Sequence, residues 1–278
     1  MTTTVTTTDG IVRVQAQPAG LATDLLSVAR RALRQIPRDP ESVIPAILVP
    51  AIFYVMNVGA LSSVTHTATG IVFKAFALPV SVVFAVTGVS RASSLVLDIQ
   101  NGYFDRLTIT PIRRLPLLLG LMMADLALVM ALAVPVVLLG LAIGVRFATG
   151  VPGMVLFVVV SGLWGLVFTG LPYAIALKTG NPAAVNSSFI LFFPFVFLTS
   201  AFAPLPALAG WMQAIAHYNP MTYVLAGLRS LIGAQAVPHQ LGAWHWRALG
   251  AAVLAIAVFG CVSLTLALLA LRGRVRRR

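Results

Sequence analysis

Acidic side chains are scarce in this sequence, with seven Asp and Glu in 278 residues, and charged residues of either sign make up only 9%. A water-soluble domain has roughly a quarter of its residues charged. The chain therefore lacks the polar surface that would cover a soluble fold. A single cysteine, Cys261, excludes an intrachain disulfide and a cysteine-based metal site. It lies in an apolar run, and we read it as a packing residue. Also missing is a Gly-x-x-x-x-Gly-Lys-Ser/Thr loop, the pattern that cradles nucleotide phosphates with backbone amides, and neither lysine follows a glycine. The polar, Thr-rich start lacks the charged head, apolar centre and cleavage site of a signal peptide. Residues 1–20 read as a disordered cytosolic tail.

What is present is apolar: 59% of residues are hydrophobic and the mean hydropathy is +0.96. An all-α integral membrane protein is expected, because long apolar segments satisfy their backbone in lipid as helices. Six charge-poor runs are long enough to cross a hydrocarbon layer about 30 Å thick. These are Val43 to Leu61, Ile71 to Leu97, Leu115 to Val145, Phe147 to Leu177, Ala184 to Ala203 and Ala248 to Leu271. The six-span membrane body thus covers residues 43–271, and the basic tail covers 272–278. Ahead of it, residues 21–38 read as an amphipathic helix in the interface. At about 100° per residue, Leu21, Leu25, Val28, Ala29, Ala32 and Ile36 share one arc, while Arg30, Arg31 and Arg34 lie opposite. A plain juxtamembrane linker is the alternative.

Charge supports the count. With both termini in the cytosol, 15 of the 19 Lys and Arg fall on the cytosolic side, and only Lys74, Arg146, Arg229 and Arg247 fall outside. The net charge of +12 would elsewhere prompt a nucleic-acid reading. Here the arginines flank apolar runs, so we assign them to topology and anionic lipid headgroups, with no nucleic-acid partner.

Two connecting segments carry functional signal. The cytosolic loop from Asp98 to Arg114 combines a flexible Gly102, the aromatic anchors Tyr103 and Phe104, the charged pair Asp105 and Arg106, the apolar Leu107, and Thr110-Pro111 before the third span. Aromatic anchors with charges at the rim suit a cleft on a soluble partner; a solvated loop with its aromatics in the headgroup belt is the alternative. The second segment follows the fifth span, where Trp211, Tyr218 and neighbouring apolar residues fit short amphipathic helices broken at Pro204, Pro206 and Pro220. Such helices form either a lip over an outer path for lipid-like molecules or an anchoring belt. Asp125 is the one acid inside a span, which makes it a pathway candidate, the alternative being an acid paired at a helix interface.

The loop from Asp98 to Leu107 followed by Thr110-Pro111 resembles the coupling helix of type-2 ABC exporter permeases, in particular the daunorubicin-resistance-like branch. Phe197 to Pro204, Trp211-Met212-Gln213 and Tyr218-Asn219-Pro220-Met221-Thr222 resemble that family's pattern at the end of the fifth span and the Asn-Pro-x-Thr that follows it. The sequence differs from many members in having Asp98 with Gln100, and Gly102 with Tyr103, where those members have an acidic pair and a Gly-Thr. The resemblance implies a bacterial inner-membrane permease subunit that is not itself an enzyme and binds no cofactor. ATP and magnesium would sit on a separate ABC ATPase subunit, and a second permease chain, identical or paralogous, would complete the channel. In that arrangement Tyr103, Phe104 and Leu107 anchor the ATPase contact, and Asp105 and Arg106 orient it. Few fixed charges in the spans suit a drug or lipid-like cargo.

Other readings are an ion-gradient-driven secondary transporter, a polysaccharide export permease and an intramembrane enzyme. A proton-coupled carrier ordinarily shows several intramembrane ionisable groups, whereas the spans here contain one acid. His239 and His245 are six residues apart, a spacing that does not put two metal ligands on one helical face.

Overall fold

Leu, Val, Ala and Met dominate the apolar runs, and nothing in lipid replaces water as a partner for their amides, so each run must close its own hydrogen bonds. A computed structural model of the chain describes residues 3–8, 11–16, 40–69, 72–87, 90, 92–101, 114–233, 236 and 245–276. Its apolar part is helical. In chain order the helices are α1 (Pro40–Thr69), α2 (Phe73–Thr87), α3 (Ala92–Gln100), α4 (Arg114–Ala142) and α5 (Gly150–Thr179). They continue with α6 (Pro182–Ser187), α7 (Phe192–Phe197), α8 (Gly210–Tyr218), α9 (Pro220–Ile232) and α10 (Trp246–Arg276). The stretches Ile44–Ser62, Asp125–Ala142, Gly150–Thr179 and Trp246–Gly273 are long and apolar enough to cross a membrane. They correspond to the expected first, third, fourth and sixth spans.

The expected second and fifth spans are not single long helices. Instead of one run from Ile71 to Leu97 there are α2, with 15 residues, and the separate α3. At roughly 1.5 Å per residue α2 is about 22 Å long, short of a hydrocarbon layer. The fifth span, expected over Ala184 to Ala203, is α6, then a 3₁₀ turn over Ser188–Leu191, then α7. Pro194 explains that break: it has no N–H for the Ile190 carbonyl, and the backbone tightens to 3₁₀ just before it.

At the N-terminus, β1 (Thr3–Thr8) pairs antiparallel with β2 (Ile11–Ala16). This hairpin lies in the segment expected as a cytosolic tail, ahead of a membrane body that is all-helical as expected. The hairpin's β-branched Thr, Val and Ile favour strands. The Thr8–Ile11 pairing leaves two residues between the strands, and the intervening Asp9-Gly10 is a preferred dipeptide for so short a connection. The expected interfacial helix over 21–38 lies outside the described residues. The expected basic tail at 272–278 begins inside α10, which runs on to Arg276.

α2 is the centre of the bundle. Thirteen of its 15 residues are buried, and it packs on α1, α4, α5 and α9. The most extensive helix pairing is α5 with α10, followed by α9 with α10. The core forms two clusters. The larger one includes Phe53, Leu78, Val83, Trp164, Phe168, Leu225 and Phe259, and its rings pack at centroid separations such as 4.8 Å for Phe53–Phe84 and 5.2 Å for Trp164–Phe259. The smaller one, at the end where α5 finishes, joins Leu95, Val96 and Ile99 of α3 to Met122, Tyr173, Leu177, Val185 and Leu271. Cys261 does not pack as expected: it is exposed on α10.

Close approach of α2 and α5 depends on Gly165, where an added Cβ would lie 2.7 Å from the backbone carbonyl of Val86. Backbone cannot swing aside as a side chain can. Gly165→Ala is expected to lower thermal stability in detergent by about 1–3 kcal/mol. Gly59→Ala in α1, where nothing lies within 4 Å of the added carbon, should be neutral or stabilise by up to about 1 kcal/mol through helix propensity. Equal melting midpoints for the two variants would contradict this packing.

Candidate functional site

Of the two segments the sequence points to, the first has its described attachment where α5 ends, and the second reaches the bundle where α5 begins. At one end, α3 leads into the loop of interest. Just ahead of α3, Ser90 Oγ accepts from the Ala92 amide at 3.2 Å. The buried side of α3, with Leu95, Val96 and Ile99, then packs on α5 and α6. Two polar contacts fix its direction. Gln100 Nε2 donates to the Gly180 carbonyl at 3.1 Å, and Ser93 Oγ bonds to Asn186 Oδ1 at 3.2 Å. Gly180 accommodates this turn because it ends α5 in the left-handed region, φ 60°, with its amide donating to Ala176. Asn181 then caps α6, accepting from the Ala183 amide at 2.9 Å. The loop residues Gly102, Tyr103, Phe104, Asp105, Arg106, Leu107, Thr110 and Pro111 lie outside the described residues. Their two attachments are described: α3 is pinned to the α5–α6 turn, and α4 resumes at Arg114.

At the other end, α8 and α9 form a V whose corner is Asn219-Pro220. Asn219 is 9% exposed and makes three hydrogen bonds. Its Nδ2 donates to the carbonyls of Phe195 and Leu198 at 2.9 and 3.1 Å, and its Oδ1 accepts from the Met221 amide at 3.0 Å. The first two acceptors lie at the end of α7, where the last carbonyls of a helix have no helical donors; the third bond is the N-cap of α9, with Pro220 at the first helical position. Thr222 Oγ1 closes the corner on the Ala216 carbonyl at 2.7 Å, and Tyr223 donates to His217 at 2.7 Å. From this corner α9 runs back to the bundle end. There the Ala148 amide donates to Ile232 at 3.2 Å and Thr149 Oγ1 donates to Leu231 at 2.8 Å.

The two arms of the V differ. α8 has the character expected of an interfacial helix, with Trp211 exposed and Tyr218 87% exposed. The expectation that the whole segment lies on the surface fails for α9, where Met221, Val224, Leu225, Leu228, Leu231 and Ile232 are buried against α10, α5 and α2. Pro204 is half-buried and opens a short 3₁₀ turn over Leu205–Ala207. Asp125 is fully buried in α4, between Met122 of the smaller cluster and Val129 of the larger.

The charge count puts Arg229 among the four topological charges on the outer side. It is 3% exposed, with its guanidinium carbon 3.5 Å above the centroid of the Phe76 ring. A helical wheel contains the signal that charge counting passed over: Thr222, Leu225, Arg229 and Ile232 share the buried stripe of α9.

Comparison with known proteins bears on this geometry. The family model for ABC-2 type transporters matches residues 23–232, which takes in α1 through α9, the loop after α3 and the V. The chain belongs to the ABC-2 type transporter family. A daunorubicin resistance ABC transporter permease protein, DrrB1, of Streptomyces coeruleorubidus is 31% identical over 210 residues, covering 73% of this chain and 72% of the relative. A probable doxorubicin resistance ABC transporter permease protein, DrrC, of Mycobacterium tuberculosis is 23% identical over 221 residues, 78% of this chain and 80% of the relative. The putative transport permease ycf38 of Cyanophora paradoxa is 24% identical over 216 residues, 75% and 73% respectively. The chain is thus an ABC transporter permease by family, and its described helices are those of a multi-pass membrane protein.

Within this permease the Asn219 corner makes a sharp chemical prediction. Asn219→Ala removes the cap and both donations, and should lower stability by about 2 kcal/mol. Asn219→Asp keeps the cap acceptor but turns a carboxylate toward the Phe195 and Leu198 carbonyls, so it should be at least as damaging as the alanine variant. An aspartate variant that melts with wild type in detergent would show that the two donations contribute nothing.

Proposed function

We propose that this permease is the transmembrane subunit of an ATP-driven exporter, in which a separate ABC ATPase docks on the loop from Gly102 to Pro111 and a second permease chain completes the path. Membership of the ABC-2 type transporter family carries this reading. Around that loop, α3 is pinned to the α5–α6 turn by Gln100 and Ser93, so a push on the loop has a rigid lever to act on. A flexible connection would absorb the push. We take the loop end as cytosolic, with six crossings in which α2 with α3, and α6 with α7, serve as the second and fifth. The V of α8 and α9 then faces outward, both termini lie in the cytosol, and the bacterial inner membrane is the location.

The chain's part is passive. ATP binding brings the ATPase subunits together, the loop shifts, and the helices attached to it change their packing; a ligand drives such a change only through contacts that differ between two states. Tyr103, Phe104 and Leu107 are assigned as the apolar anchors in the ATPase cleft, with Asp105 and Arg106 setting orientation. Cargo is assigned to the drug or lipid-like class, and the drug in the Streptomyces relative's name, daunorubicin, is the first to test. The buried Asp125 is one acid among the apolar packing of α4, which suits an export path driven from outside the bilayer better than a proton relay.

Co-expression with the host's ABC ATPase subunit, followed by daunorubicin uptake into inverted membrane vesicles, tests the assignment. Wild type should accumulate drug on ATP addition and not on imposing a proton gradient alone. Phe104→Ala and Arg106→Ala should each weaken co-purification of the ATPase and cut ATP-driven uptake by about tenfold, as expected for interface anchors worth 1–2 kcal/mol. Gradient-driven uptake without the ATPase would instead favour a secondary carrier.

A further inference from the structure

The guanidinium of Arg229 joins three parts of the fold that are far apart in sequence. Nε donates to the Phe76 carbonyl of α2 at 3.1 Å, Nη1 to Ser200 Oγ at 3.1 Å and Nη2 to the Ala201 carbonyl at 3.2 Å. The plane of the cation rests on the ring of the same Phe76 whose carbonyl it binds. A buried cation is costly unless its donors and charge are matched. Here the match comes from carbonyl dipoles, a hydroxyl and an aromatic face.

The backbone is irregular near both of the carbonyls that Arg229 binds. Pro79 lies inside α2 and offers no N–H to the Ala75 carbonyl, so the turn next to Phe76 lacks one helical hydrogen bond. Ser200 and Ala201 fall in the non-helical stretch between α7 and the 3₁₀ turn at Leu205. Arg229 therefore bridges a proline-weakened turn of α2, the connection after α7 and the rising arm of the V. At 3% exposure it is closed to a bound ligand, so its role concerns how these parts move together.

We infer that Arg229 is a positioning residue that latches the α8–α9 V to α2 and passes the displacement of α2 on to it during transport. The inference rests on the export reading, in which α2 continues through α3 to the ATPase-docking loop. Arginine is required because a planar fork reaches three acceptors while stacking on a ring, whereas a lysine offers one nitrogen on a flexible stem. The latch predicts uncoupling when it is cut: the ATPase still binds and turns over, but less cargo moves for each ATP.

The test compares wild type with Arg229→Met, Arg229→Lys and Ser200→Ala, each as the full chain in lipid nanodiscs for hydrogen exchange and in vesicles with its ATPase subunit for turnover. In the methionine variant, peptides covering 198–203 and 220–232 should exchange faster. Daunorubicin moved per ATP should fall about tenfold, within the usual range of site-to-site coupling, while ATP hydrolysis stays within about twofold of wild type. Lysine should restore part of the ratio. Should the methionine variant fail to fold, Ser200→Ala removes one neutral acceptor and must shift exchange in the same direction to a smaller extent. Unchanged exchange in both segments, or a wild-type drug-to-ATP ratio in Arg229→Met, would overturn the latch. If wild type moves no daunorubicin with the ATPase bound, the export reading fails, and the exchange data still decide whether the latch exists.

Discussion

In hydrocarbon a peptide group left without a partner finds no water to replace it, and each such group costs several kcal/mol. Unbroken helices meet that demand by themselves. This permease does not consist only of unbroken helices: α2 has 15 residues, α6 and α7 are separated by a 3₁₀ turn, and α9 starts at a corner beside the end of α7. Near these irregularities, side chains from other elements donate to backbone carbonyls. Arg229 serves Phe76 and Ala201, Asn219 serves Phe195 and Leu198, and Lys74 Nζ donates to Ile143 at 3.1 Å. These bonds cross between elements and hold the broken elements together.

The resulting molecule has two differently built ends. Where α3 meets the α5–α6 turn, the described contacts are an apolar cluster, Gln100 on Gly180 and Ser93 on Asn186. At the opposite end α2, α9 and the α4–α5 connection are tied by a chain of side-chain-to-backbone bonds through Lys74, Thr149 and Arg229. Tyr54 extends this chain to α1 by donating to the Lys74 carbonyl at 2.8 Å. A transporter needs parts that stay rigid while others shift. The central position of α2 gives it contact with α1, α4, α5 and α9.

Charge-poor runs were enough to locate α1, α4, α5 and α10, because a long uninterrupted helix averages cleanly in any hydropathy window. They were not enough for the second and fifth spans. An apolar run reads the same whether or not its backbone is broken, and although Pro79 and Pro194 marked weak points, proline in a span more often bends a helix than ends it. Arg229 shows a different limit. The charge count put it among the topological charges on the outer side, and only the three-residue and four-residue spacing along α9 placed it on the buried stripe. The Asn219-Pro220 pair was legible as a family motif, yet its two donations to α7 join residues 24 and 21 positions apart, which no local pattern displays. Cys261, expected to pack, faces outward because α10 gives its buried side to α5 and α9.

The central claim is that the α8–α9 pair is bonded into the bundle at membrane depth by Asn219 and Arg229. A cryo-electron microscopy reconstruction of the permease in lipid nanodiscs, at a resolution that shows side chains, tests it most directly. The account predicts the Asn219 amide within hydrogen-bonding distance of the α7 carbonyls and the Arg229 guanidinium stacked on Phe76 inside the lipid slab. Density showing both helices flat on the membrane surface, with Asn219 and Arg229 in water, would contradict it.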